Sequence, residues 1–78
     1  MEISSLVVKT APEHLNEVLR TLESFGGCDI HFNDESGKIV ITIESSSNDE
    51  MIKKMQEIID IKHVVTADLA YTYSDENQ

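Results

Sequence analysis

The chain is poor in the residues that staple or anchor small proteins: one cysteine, one proline, no tryptophan, and two tyrosines and two phenylalanines among 78 residues. The lone thiol, Cys28, forbids an internal disulfide and cannot by itself build a cysteine zinc site. That points to a reducing compartment and an unstapled hydrophobic core. No run approaches the roughly eighteen apolar residues of a membrane span, and no basic segment leads into an apolar stretch at the start, so neither a span nor an export signal is expected. Basic residues are also scarce. Six Lys and Arg face fifteen Asp and Glu, a net charge of −9. Such a surface repels phosphate backbones and anionic lipid, which excludes nucleic acid and favours a cationic partner. At this length one core is the limit, and a domain of this size buries only about 60% of its unfolded surface. The expectation is one cytoplasmic domain over residues 1–73, followed by a polar tail at 74–78.

What is present alternates between two periods. Ile3 to Lys9 is rich in β-branched and apolar residues and predicts a strand. Thr10 and Glu13 have the spacing of a capping box, with Pro12 tolerated in a first turn, so a helix is expected to start there. Leu15, Val18, Leu19, Leu22 and Phe25 then recur at helical spacing until Gly26 and Gly27. Cys28, Ile30 and Phe32 alternate with Asp29 and His31, a turn follows over 33–37, and Ile39, Ile41 and Ile43 alternate with Lys38, Val40, Thr42 and Glu44. That pair predicts a hairpin. Ser47 and Glu50 form a second capping box ahead of Met51, Ile52, Met55, Ile58 and Ile59, a helix expected to end near Asp60. A last strand is expected over Val64–Tyr73.

The order βαββαβ contains an internal repeat. A shift of 37 positions lays Thr10 on Ser47, Val18 on Met55, Cys28 on Val65, Ile30 on Ala67, Phe32 on Leu69 and Leu6 on Ile43. The last match assigns Ser4, Leu6 and Val8 to the buried side of the first strand. The predicted fold is α+β and ferredoxin-like: a four-stranded antiparallel sheet with two helices on one face. The other face is then open. It is expected to carry Ile3, Ser5, Val7, Lys9, Asp29, His31, Lys38, Val40, Thr42, Glu44, Asp68, Ala70 and Thr72. Its apolar centre makes it a docking surface. An exposed edge strand also offers weak self-association with another copy.

Catalytic chemistry is missing. His14, His31 and His63 lie apart in sequence without a carboxylate or cysteine at ligand spacing, so no metal site is expected. Cys28 falls on the inward side of its strand and reads as a core thiol rather than a nucleophile. Metal-carrying relatives of this fold need a Cys-x-x-Cys in the first loop, where Lys9-Thr10-Ala11-Pro12 has no thiol. Acylphosphatase-like enzymes need an arginine there, whereas Arg20 is mid-helix. RNA-binding modules need outward sheet aromatics and a basic field, and Phe32 and Tyr71 are both expected inward. The chain is read as a non-enzyme without a cofactor.

Ser5-Leu6-Val7-Val8, Phe25-Gly26-Gly27-Cys28, Ser36-Gly37-Lys38-Ile39-Val40 and the stretch from Val64 through Tyr71 occur in one order over nearly the whole chain. In these motifs the sequence resembles the NapD family of small cytoplasmic chaperones for the periplasmic nitrate reductase. The resemblance implies binding of the twin-arginine signal peptide of the reductase catalytic subunit, delaying Tat export until the molybdenum cofactor is inserted. On the open face, the residues expected to meet the peptide are Ile3, Ser5, Val7, Val40, Thr42 and Ala70, with Asp29, Glu44 and Asp68 as acids for the arginines. The alternative is an ACT-like module that binds an amino-acid effector. Such modules commonly carry a glycine in the first strand-to-helix loop, and Lys9 to Glu13 contains none.

Overall fold

The computed structural model describes residues 2–74, with side chains described as far as Thr72. The chain forms β1 (Glu2–Thr10), a 3-10 turn (Pro12–His14), α1 (Leu15–Glu23), β2 (Cys28–Asn33), β3 (Lys38–Ser45), α2 (Asn48–Ile59) and β4 (Val64–Ser74). Ser74 thus ends a strand rather than opening the expected tail, whose other residues lie outside those described. The four strands pair antiparallel in the order β2-β3-β1-β4. This is the predicted ferredoxin-like arrangement.

The core lies between one sheet face and the helices. Leu6 and Val8 of β1 and Ile39, Ile41 and Ile43 of β3 meet Val18 and Leu22 of α1 and Met51 and Ile58 of α2, all buried. Cys28 and Ile30 pack against this cluster from β2, as their alternation predicted. The stripe on α2 is narrower than its spacing suggested: Ile52 and Ile59 are 55% and 42% exposed. Ser4 is fully buried on the same face and shares a 3.1 Å hydrogen bond with the Thr72 hydroxyl, so its polarity is satisfied.

Only one of the two capping boxes forms. The Ser47 hydroxyl accepts from the Glu50 amide at 3.1 Å, and the Glu50 carboxylate reaches back to the Ser46 amide at 2.7 Å, one residue beyond the usual reciprocal partner. Thr10, by contrast, caps nothing. It is held in β1 by its amide, which donates to the Gly37 carbonyl at 2.8 Å, and its hydroxyl donates to Ala11 O. Pro12 disfavours helical geometry at the residue before it, so Ala11 is extended and a 3-10 turn intervenes before α1 starts at Leu15.

Two loops depend on close backbone approach. Gly37 has φ +96, and a Cβ there would lie 2.3 Å from the Thr10 carbonyl oxygen. Gly27 has φ +76 and sits against Lys54, whose ammonium donates to the Glu44 carbonyl at 2.7 Å. Lys54 thereby ties α2 to the end of the hairpin.

Three outcomes are expected. Leu6→Asp should abolish the cooperative thermal transition, because it places an unpaired carboxylate in the sealed core. Gly37→Ala should destabilise by more than about 1 kcal/mol from its positive φ and the backbone clash together, whereas Gly26→Ala, with nothing near its Cβ, should be nearly neutral. Chemical denaturation of both variants checks this. The hydrogen bonds from Ser46 hold the Glu50 carboxyl below its ordinary range. A depressed folded-state pKa stabilises above the unfolded value and is lost as pH falls through the folded one, so the stability difference between parent and Glu50→Gln should shrink on acidification below about pH 4.

Candidate functional site

The sheet face away from the helices is built in cross-strand rows, because paired residues of neighbouring antiparallel strands share a face. At one end Glu44 pairs with Ile3. Next comes Asp29–Thr42–Ser5–Tyr71, then Phe32–Val40–Val7–Asp68, and finally Lys38–Lys9–Thr66. Ile3, Ser5, Val7, Val40 and Thr42 are half-buried, while the acids and lysines are exposed. His31 shares a 2.7 Å hydrogen bond with the Thr42 hydroxyl and so lies on this face as predicted.

Two strands depart from simple alternation, and both departures bring an aromatic ring outward. In β2 the register shifts between Ile30 and Phe32, so that Phe32 pairs with Val40 on the open face, where it is 50% exposed rather than buried. In β4 the shift falls opposite Ser5 and Leu6: Leu69 pairs with Leu6, Tyr71 pairs with Ser5, and Ala70 is the extra residue. Tyr71 therefore stands on the open face, 62% exposed, and Thr72 turns to the helix side with Ser4. These placements reverse the expectations for Phe32, Tyr71 and Thr72. A β-bulge inserts one residue and resets the period of two that carried them. A second shift in β4, beside Thr10, leaves Val65 outside the ladder and 69% exposed, against the inward position its repeat partner Cys28 implied. Leu69 does face the helix side yet is half-exposed beyond α2.

The three acids expected to act together are divided. Asp29 and Glu44 lie at one end on neighbouring strands, whereas Asp68 stands on the opposite edge strand, one row from the lysines. The outward aromatics also remove half of the reason for excluding an RNA module; the net charge of −9 retains the other half. Cys28 packs on the core side, where burial pushes its thiol pKa up and away from a reactive thiolate.

Sequence separation also hid a cluster at the far end of the fold. His14, Glu17 and His63 come together, with His14 Nδ1 2.6 Å from Glu17 Oε1 and the two imidazoles stacked at 3.5 Å. The expectation that no carboxylate accompanies the histidines at ligand distance is corrected by this geometry. The i, i+3 spacing of His14 and Glu17 was visible in the sequence; the arrival of His63 was not.

These features define the class, a small ferredoxin-like α+β domain with one uncovered sheet face. The sequence profile of the family described as NapD protein matches residues 1–76. Chaperone NapD of Escherichia coli K12 and that of Shigella flexneri are each 24% identical over 76 residues, covering 96% of this chain and 87% of theirs. The solution structure of the E. coli Tat proofreading chaperone protein NapD matches the fold with a TM-score of 0.84 at 23% identity, over 97% of this chain and 81% of that one. The chain belongs to the NapD family, and its relatives support a chaperone role.

If the bulges present Phe32 and Tyr71 to solvent, truncation of either ring should cost little. Phe32→Ala and Tyr71→Ala should each lower stability by less than about 1.5 kcal/mol, against roughly 3–5 for a core phenylalanine. Urea titrations of the two variants provide the measurement.

Proposed function

We propose that this protein is a cytoplasmic chaperone that binds the twin-arginine signal peptide of a periplasmic nitrate reductase catalytic subunit on its open sheet face. Binding withholds the precursor from Tat export until its molybdenum cofactor is in place. Membership of the NapD family supports the partner, and one observation supports the surface: half-buried Val7 and Val40 flanked by exposed Phe32 and Tyr71, with Ile3, Asp29 and Glu44 toward one end. The peptide's chemistry matches that order, since two arginines precede a moderately apolar stretch.

Magnitudes divide the work. An exposed ion pair contributes about 0–1 kcal/mol, and an arginine over an exposed aromatic ring about 0.5–1, whereas micromolar affinity needs about 8. Burying about 500 Å² of apolar surface gives on the order of 12 kcal/mol before ordering costs. Apolar contact carries affinity, and charge carries steering and register. Ser5, Thr42 and Ala70 supply small side chains that let a peptide approach the sheet.

Val7→Asp or Val40→Asp should therefore abolish binding of a synthetic twin-arginine peptide in calorimetry while the domain stays folded. Neutralising Asp29, Glu44 and Asp68 together to Asn or Gln should slow association and weaken affinity by about tenfold or less, with a flatter salt dependence, because exposed charges are screened as the Debye length falls. The expected order is that Asp29 and Glu44 account for most of that change and Asp68 for little. Peptide binding that survives Val7→Asp and Val40→Asp in folded protein would move the site off this face.

A further inference from the structure

We propose that His14, Glu17 and His63 form a binding site for one divalent transition-metal ion of the imidazole-favouring class, represented by Zn²⁺, which clasps the β1–α1 junction to the α2–β4 turn. One ligand atom from each residue lies within 4.8 Å of the others. Tetrahedral zinc with bonds of about 2.05 Å brings its ligand atoms to about 3.4 Å of one another. Side-chain rotation covers that difference: Glu17 is 61% exposed and His14 34% exposed at the side chain, so neither is locked in the core.

Three features of the cluster favour ligation. His14 Nδ1 and Glu17 Oε1 already face each other at 2.6 Å, so an ion between them takes both as ligand atoms after only a small separation of the two groups. His63 supplies the second feature: it is the only non-glycine with positive φ among the described residues, at 78°. It sits in a turn closed by Val64 N donating to Ile61 O at 3.1 Å, where a type II turn ordinarily takes glycine or asparagine. The same residue's carbonyl accepts from the Ala11 amide at 3.2 Å, which fixes the turn beside the start of α1 and brings the His63 ring to 3.5 Å from that of His14; since each nitrogen lone pair lies in its ring plane, ligation turns one ring out of the stack. Third, two nitrogens and one oxygen suit Zn²⁺, Ni²⁺ or Cu²⁺ and not the six to eight oxygens that Ca²⁺ requires.

The test uses the full chain without a histidine tag and Zn²⁺ as the probe, with Ca²⁺ as the control. The parent should bind one equivalent of Zn²⁺ by calorimetry, shift the ring resonances of His14 and His63 but not those of His31, and raise its Tm on the order of 10 °C at a hundredfold excess over Kd. His14→Ala and His63→Gly should each abolish the bound equivalent and the Tm response, and Glu17→Gln, which removes the one anionic ligand, should weaken binding by at least about tenfold. His63→Gly accommodates the positive φ, so its metal-free Tm should equal or exceed that of the parent. That separates ligation from a merely structural role. Zn²⁺ binding that persists undiminished in both histidine variants, or parent ring resonances that stay fixed under millimolar Zn²⁺, would overturn the site.

Discussion

The structure depends on the uninterrupted pairing of its two central strands. From Glu2 opposite Ser45 to Lys9 opposite Lys38, β1 and β3 run in register without a bulge. The period of two is therefore strict, sealing Leu6, Val8, Ile39, Ile41 and Ile43 under the helices and leaving Ile3, Val7 and Val40 on the other face. Burying a Leu, Ile or Val is worth about 1.5–3 kcal/mol, so the five sealed side chains together contribute about 10. That is comparable to the whole stability of a small domain. A slip of one residue would turn one strand's share outward, Leu6 and Val8 of β1 or Ile39, Ile41 and Ile43 of β3.

The edge strands carry no such restriction and use the freedom differently. β2 and β4 each have only one neighbour, so an inserted residue disturbs one ladder rather than two. One insertion in each edge strand is followed by an aromatic residue, and the consequence is exposed surface rather than core: Phe32 from one edge and Tyr71 from the other flank the half-buried Val7 and Val40. Bulges also twist an edge strand and interrupt its hydrogen-bonding row, which blunts its tendency to recruit another chain.

This division explains which parts were legible in the sequence. β3 places isoleucine at every second position from Ile39 to Ile43, and the internal repeat passed its register to β1, so Ser4, Leu6 and Val8 were assigned correctly. The repeat misled at Val65 and simple alternation at Phe32 and Tyr71, because a bulge leaves no compositional mark in a stretch whose residues are all acceptable in a strand. The Ser47–Glu50 cap was readable because nothing else claims those side chains, whereas Thr10 has a capping signature but is committed to β1 and to the hairpin glycine, Gly37. Ile52 and Ile59 lie on the periodic stripe of α2, yet a stripe records which residues could be covered, and the sheet beneath is too narrow to cover all of them. His63 reaches His14 only through the pairing of Thr10 with Val64, a long-range contact with no local signal.

The open face has a direction that the central pairing imposes on any extended ligand. Its rows are two residues apart along the strands, about 6.7 Å, so the span from Glu44 to Lys38 is about 20 Å. On the proposed function, a peptide lying along the strands meets carboxylates at one end and Lys9 and Lys38 at the other. An arginine pair at the lysine end would face like charge, which is what excludes the reversed orientation. About six residues of extended peptide fill that length, whereas a helical segment of about 13 would fit in the same distance. A helix presents one apolar side continuously to a flat surface such as this sheet face. On the proposed function the acids would meet the arginines only at the peptide's leading end, which would keep charge in the role of setting register while the apolar rows supply most of the binding energy.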